Sequence, residues 1–417
     1  MNSTRLAPAI CAIVFCATLT VNSYAAERTI HTFQAKPGAT PYGSLVSDAN
    51  GNLYGVTASG GDGCRSGGNG CGTIYELSPT SGGGWNVTTL YIFKGGTDGF
   101  GPSSALIFDA NGNLYGTTTS GGVNGAGTAF ELSPIPEGGW TESVIYSFGA
   151  SSVDGNTPFA SVTFDHSGNL YGTTVYGGSD NFGTVFELSP SSGGWIESAL
   201  YSFEGDRAFP EDGAYPYCSL IFDSLGNLYG TTFKGGVYSG GEVFELMPSV
   251  SGWQEQVLYS FRVSTLDGTG PQAGVIFDPA GNLYGTTYSG GGPEQGGTVF
   301  ELSPINGGEW QESIIHTFLP SKNDGGQPVA APIMDASGNL YGTTGGGGSP
   351  IGDGTVYSLT SQSNGRWAEA RYNFKGEPGG QYPLGGLIFY ANGVVGTTAY
   401  GGTGPGDGYG LAFEILP

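Results

Sequence analysis

Positive charge is scarce in this sequence. Twelve Lys and Arg stand against 35 Asp and Glu, the net charge is -23, and only 11% of the 417 residues are charged at all. A chain this acidic lacks the electrostatic footprint of a nucleic-acid or anionic-membrane binder. Histidine is nearly absent, with three residues at 31, 166 and 316. A nucleophilic triad needs a base beside Ser or Cys, and no Gly-x-Ser-x-Gly is present to suggest one. The many glycines are never followed by the Gly-Lys-Ser/Thr of a phosphate loop, and the Asp-x-Asp-x-Asp of a calcium loop is missing. Long apolar runs are missing too. The longest mostly apolar stretch, Leu6 to Val21, is interrupted by Pro8, Thr18 and Thr20, too short and broken for a membrane span of about 20 residues.

That stretch reads instead as a leader. Arg5 gives a basic start, and Ser23-Tyr24-Ala25 places small residues where a signal peptidase reads, so residues 1–25 are expected to be a cleaved signal peptide and the protein to be secreted, extracellular or periplasmic. Cysteine is rare. Of five, Cys11 and Cys16 leave with the leader, and Cys218 reads as a small buried residue of a strand. Cys64 and Cys71 share one Gly-rich loop and are expected to form a disulfide in an oxidising compartment; zinc is the rival reading, but it wants four ligands and no second pair or nearby His exists.

What abounds is glycine and repetition. Gly (80) and Pro (24) make about a quarter of the chain, a share that suggests disorder in an aperiodic sequence. Here the glycines recur at a fixed period beside 13% aromatic residues. Gly-Asn-Leu-Tyr-Gly places its Tyr at 54, 115, 171, 229, 284 and 341, and a decayed seventh copy has Val395 instead. The spacings, between 54 and 61, match the length of a propeller blade. Each unit reads as four strands. The first follows a Pro, runs through small then branched residues such as Ser104 to Phe108, and ends in Asp (48, 109, 165, 223, 278, 335). The second is Leu-Tyr-Gly-Thr-Thr, the third Thr-Val-Phe-Glu-Leu, and the fourth an alternating stretch such as Trp195 to Phe203. Residues 29–33 match the fourth strand and 411–415 the third, so the N-terminus is expected to supply the outer strand of the last blade. The prediction is an all-β, seven-bladed propeller of four-stranded antiparallel blades over residues 26–417, with the Trp of six outer strands packing between blades.

Leu-Tyr-Gly-Thr-Thr-x-x-Gly-Gly followed by Gly-Thr-Val-Phe-Glu-Leu-Ser-Pro resembles the GloVer tandem repeat of exported bacterial proteins, and the blade pattern is similar to Kelch repeats. The GloVer resemblance implies a secreted or surface protein with no established activity and carries over no catalytic residues.

Candidate sites are therefore sought where repeats differ. Loops joining outer to inner strands, and second to third strands, should share one face. They carry Tyr176, Tyr215, Phe233, Tyr288 and Tyr400, aromatic platforms suited to sugar rings, as well as Phe100 and Phe159. Asp98, Asp154, Asp212, Asp267 and Asp324 each precede a Gly. Turn chemistry explains such pairs, and a carboxylate ring holding a cation such as calcium at the channel mouth is the alternative. No other cofactor is implied. The expected function is a binding module for extracellular polysaccharide or a surface protein; the competing classes are a carbohydrate-active hydrolase or lyase and a structural matrix component.

Overall fold

The structure, a computed structural model, describes residues 26–417 except 37, 65–69, 206–210, 264–265, 349–351, 405–407 and 417. The leader expected over residues 1–25 lies outside the described residues. Among the described residues there is no α-helix, and the strands build seven four-stranded antiparallel blades. In the second blade the order from the axis outward is Ile107–Phe108, Leu114–Ser120, Thr128–Pro134 and Trp140–Ser147. In the seventh it is Ile388–Tyr390, Gly393–Thr398, Leu411–Leu416 and then Ala26–Thr32. The N-terminal strand thus closes the ring, as the sequence predicts, and the joint is sealed by a full antiparallel ladder.

The recurring residues each have a local task. In the third blade, Asp165 Oδ1 accepts hydrogen bonds from the backbone N–H of Ser167 (2.7 Å) and Asn169 (2.9 Å), and Oδ2 accepts from Asn169 Nδ2 (2.8 Å) and the Tyr171 hydroxyl (3.4 Å). Gly168 completes the turn at φ +86°. Burial opposes ionisation of Asp165, but the donors outweigh it and hold the carboxyl below its ordinary range; Asp48 and Asp278 behave alike. The Gly of Leu-Tyr-Gly makes room for the next strand's aromatic ring: a Cβ at Gly172 would lie 2.6 Å from Phe186.

The inner strand differs from expectation. Of the run Ser104 to Phe108 only Ile107–Phe108 pairs within its blade, and Cys218 likewise is buried just ahead of its strand, Ile221–Phe222. Seven chains converge there, so the inner segments bond across seams instead. The first Thr of each Thr-Thr donates to the next blade's inner carbonyl: Thr173 to Cys218 (2.8 Å), Thr231 to Ala273 (2.8 Å), Thr343 to Gly385 (3.0 Å). Small residues permit the approach; a Cβ on Gly274 would sit 2.3 Å from the Ser219 carbonyl. The second Thr bonds the hydroxyl of the Thr that opens the third strand, as in Thr174 with Thr184 (2.7 Å).

Apolar seams carry the rest. An outer-strand Phe meets a third-strand ring of the next blade edge-on at all seven seams, including Phe93 with Phe130, Phe203 with Phe244, and Phe33 with Tyr75 across the closure. Each core cluster therefore draws on two blades. The tryptophans pack between blades as expected: Trp195 lies 6.2 Å from Tyr115 of the preceding blade, and Trp85 lies 5.6 Å from Tyr390.

Candidate functional site at the channel mouth

A channel of about 300 Å³ follows the propeller axis and is lined by the inner segments of all seven blades. Its rim is set by the residue after each Pro. Three of these are aromatic, Tyr42, Phe159 and Tyr217; two are polar, Ser103 and Gln272; two are aliphatic, Val329 and Leu384. Below them the wall is Ser, Gly, Ala and aliphatic residues, and no carboxylate, imidazole or amine is among the described lining residues. The rim is thus lopsided.

The aromatic residues form one connected set. Tyr42 meets Phe159 edge-on at 5.6 Å, Phe159 meets Tyr217 at 5.5 Å, and Tyr217 meets Phe233 at 5.8 Å. Tyr176 packs on Tyr215 at 5.5 Å. Burial first, and then the neighbouring tyrosines 176, 215 and 42, push the Tyr217 hydroxyl up to about 12. Tyr42 is raised by burial and by the nearby tyrosines 400 and 288. Tyr176 and Tyr400 remain exposed.

Of the five aromatic residues predicted from sequence none lines the channel itself; Phe233 meets the rim residue Tyr217, and the five fall in separate groups. Tyr176 and Tyr215 adjoin; Phe233 and Tyr288 share a recess of about 140 Å³ between the fourth and fifth blades; Tyr400 pairs with Tyr382 at 5.9 Å. Sequence reasoning passed over Tyr42 and Tyr217, which line the channel. Their signal was an aromatic residue directly after the Pro that opens an inner segment.

Rigid backbone presents these rings. One residue before each Pro the chain is left-handed, with Thr40, Thr157, Tyr215, Gln327 and Tyr382 at φ between +53° and +59° and Gly at 101 and 270. Such angles are costly for residues with a Cβ, and here paired backbone bonds impose them. Tyr215 N–H donates to the Phe182 carbonyl (2.7 Å), and the Tyr215 carbonyl accepts from Phe233 N–H (3.1 Å).

The Asp-Gly carboxylates do not encircle the mouth. They lie at the blade seams, against outer strands. Asp154 accepts from the Tyr146 hydroxyl (2.9 Å) and the N–H of Ala150 (2.7 Å) and Gly155 (2.6 Å); Asp98, Asp267 and Asp324 are held alike by Tyr91, Tyr259 and His316. Each faces the glutamate that follows the next blade's Trp by two: Asp98 with Glu142, Asp154 with Glu197, Asp212 with Glu255, Asp267 with Glu312 and Asp324 with Glu369. Burial, then the facing aspartate, pushes Glu142 up to about 8 and Glu197 and Glu312 up to about 7. Cys64 and Cys71 are joined by a disulfide with Cα atoms 5.3 Å apart, and Cys71 is buried in the core between the first two blades.

Comparison with known proteins bears on the fold and the family. The structure superposes on an ancestral GH74 enzyme with a TM-score of 0.57 at 12% identity, covering 91% of this chain and 48% of that one. A fungal alcohol oxidase of the AA5 family in complex with copper gives 0.56 at 13% identity, covering 95% and 76%. A putative 6-phosphogluconolactonase from Bacteroides uniformis gives 0.51 at 15% identity, covering 85% and 88%. At such identities the likeness is one of fold. Among curated proteins, none matches the sequence. The profile of the Gloeobacter/Verrucomicrobia repeat matches residues 11–221 and 208–413, nearly the whole repeat array. The chain belongs to the Gloeobacter/Verrucomicrobia repeat family.

Proposed function

We propose that this protein is an exported binding module whose ligand is an extracellular polysaccharide, held across the mouth of the axial channel. The observation that carries this reading is the connected set of aromatic rings, Tyr42, Phe159, Tyr217 and Phe233, with Tyr176 and Tyr215 beside it. A sugar ring offers apolar C–H faces to stack on such rings and a hydroxyl rim for Ser, Gln and Tyr to bond. The described channel lining carries no carboxylate, imidazole or amine, which suits a neutral ligand. Export is supported by the leader-like first 25 residues and by the Cys64–Cys71 disulfide.

The test is a glycan array and polysaccharide-depletion assay on the protein from residue 26, followed by product analysis. Retention without shortened chains, weakened at least about tenfold by Tyr217→Ala, is the expected result. Cleavage products would move the protein to the hydrolase or lyase class, and silence across the array would point to a protein partner.

A further inference from the structure

We infer that the seam between the third and fourth blades holds a divalent cation, with calcium the best match, bound by Asp212, Glu242 and Glu255. The repeat itself exposes the anomaly. In five blades the second strand's Thr bonds the hydroxyl of the Thr that opens the third strand, at 2.7 to 2.9 Å. In the fourth blade the register partner of Thr232 is Glu242. Its side chain has no exposed surface, and neither carboxylate oxygen makes a hydrogen bond of standard geometry; its polar neighbours are the Glu255 carboxyl and the Gly213 backbone.

Glu242 is aimed at two more carboxylates. One oxygen from each of Asp212, Glu242 and Glu255 lies within 4.8 Å of the others. Asp212 is occupied on its far sides by the N–H of Glu204 (2.7 Å) and Gly213 (2.7 Å). Glu255 accepts from the Tyr201 hydroxyl (3.3 Å) through Oε2, while its Oε1 is buried without a donor. Among the described residues no ion pair reaches any of the three. Two buried carboxylates and a half-buried third, with no counter-charge among the described residues, are costly, and an ion with about 2.3 to 2.6 Å bonds to oxygen spans the separation observed. The donor set is all oxygen, which selects a hard cation.

The seam between the fifth and sixth blades is the internal control. Its Asp324 and Glu369 occupy the equivalent positions, but the third-strand residue is Thr355, and positive charge comes from Arg371, whose Nη1 lies 2.5 Å from Glu369 and 3.9 Å from Asp324, while His316 Nε2 is a hydrogen-bond partner 3.2 Å from Asp324. Among the described residues the third-to-fourth seam has one more carboxylate and none of these partners. Asp212 opens the segment that carries Tyr215 and Tyr217, so an ion there would also brace that part of the rim.

Terbium luminescence tests the site directly, because Tyr201 bonds a ligating carboxylate and can sensitise the ion. The protein from residue 26 should bind one terbium ion saturably, with calcium competing. Glu242→Thr, which restores the pair found in five other blades, should weaken binding at least tenfold, and Glu142→Gln at another seam should leave it unchanged. In parallel, calcium should raise the melting temperature of the parent and leave that of Glu242→Thr unmoved. Should Glu242→Thr fold poorly, Glu255→Gln provides the same readout. A parent without a saturable site, or affinity unchanged in both Glu242→Thr and Glu255→Gln, would overturn the proposal.

Discussion

The blade seams and the channel rim obey opposite rules. At the seams nearly every contact recurs: a Phe against the next blade's ring, a Thr hydroxyl on the next inner carbonyl, an Asp facing a Glu. At the rim the residue after Pro is Tyr, Ser, Phe, Tyr, Gln, Val and Leu in turn. A position that all blades share is bound by the geometry of packing one blade on the next. A position where they differ is released from it, and ligand recognition has room there. Glu242 obeys the same logic inside a seam, as the one third-strand opening where a Thr gives way to an acid.

Substitutions at the two regions should separate stability from binding. Phe244→Ala removes a fully buried ring that meets Phe203 across a seam, and should cost about 3 to 5 kcal/mol in chemical denaturation. Asp165→Ala strips four hydrogen bonds from one turn and takes the acceptor from the N–H groups of Ser167 and Asn169; a loss of about 2 to 3 kcal/mol is expected in the same assay. Thr231→Val keeps the shape but removes the 2.8 Å bond to Ala273, and about 1 kcal/mol should follow. Val56 already stands at the equivalent place in the first blade, so that seam holds without the bond.

The seam carboxyls give the comparison a pH dependence. Glu142, Glu197 and Glu312 sit above their ordinary value of 4.5 in the folded chain. Between that value and about 7 to 8 the folded state holds protons that the unfolded state has released, so stability falls as pH rises through this window and levels off above it. Melting temperature should therefore be higher near pH 5 than near pH 8, and Glu142→Gln should flatten part of the slope. A profile that rises from pH 5 to 8 would show that the facing aspartates do not act as described. Tyr217→Ala removes a half-buried rim ring that meets Phe159 and Phe233, and should cost about 1 to 2 kcal/mol, well below the loss at Phe244.

Most of the architecture was legible because repetition averages out local ambiguity. Seven copies of a four-strand pattern fix blade number, strand order and the closing role of Ala26–Thr32. The inner segment is shorter than its sequence suggests because its bonding partners lie on the preceding blade, as with Cys218 and Thr173. The arrangement of the loop aromatics was less legible. Tyr176, Tyr215, Phe233, Tyr288 and Tyr400 stand outside the channel lining, and Tyr217, two residues from Tyr215, is the lining ring that meets Phe233. In a regular strand the rings of Tyr215 and Tyr217 would share a face; the left-handed turn at Tyr215, φ +59° just before Pro216, separates them, and a period-2 reading of the sequence does not show that turn. The Asp-Gly pairs land at seams because short ribbons such as Gly155–Asn156 with Tyr176–Gly177 still separate them from the axis. Glu242 was visible as a departure from Thr, but its meaning depends on Asp212 and Glu255 arriving from either side of a seam.

The central claim is that recognition resides where the blades diverge. Affinity electrophoresis through gels containing polysaccharides drawn from the array tests it most directly, comparing the parent, Tyr217→Ala and the seam variant Thr231→Val. The account predicts that at least one polysaccharide retards the parent and Thr231→Val but not Tyr217→Ala. Equal retardation of all three, or free migration of the parent through every gel, would contradict it.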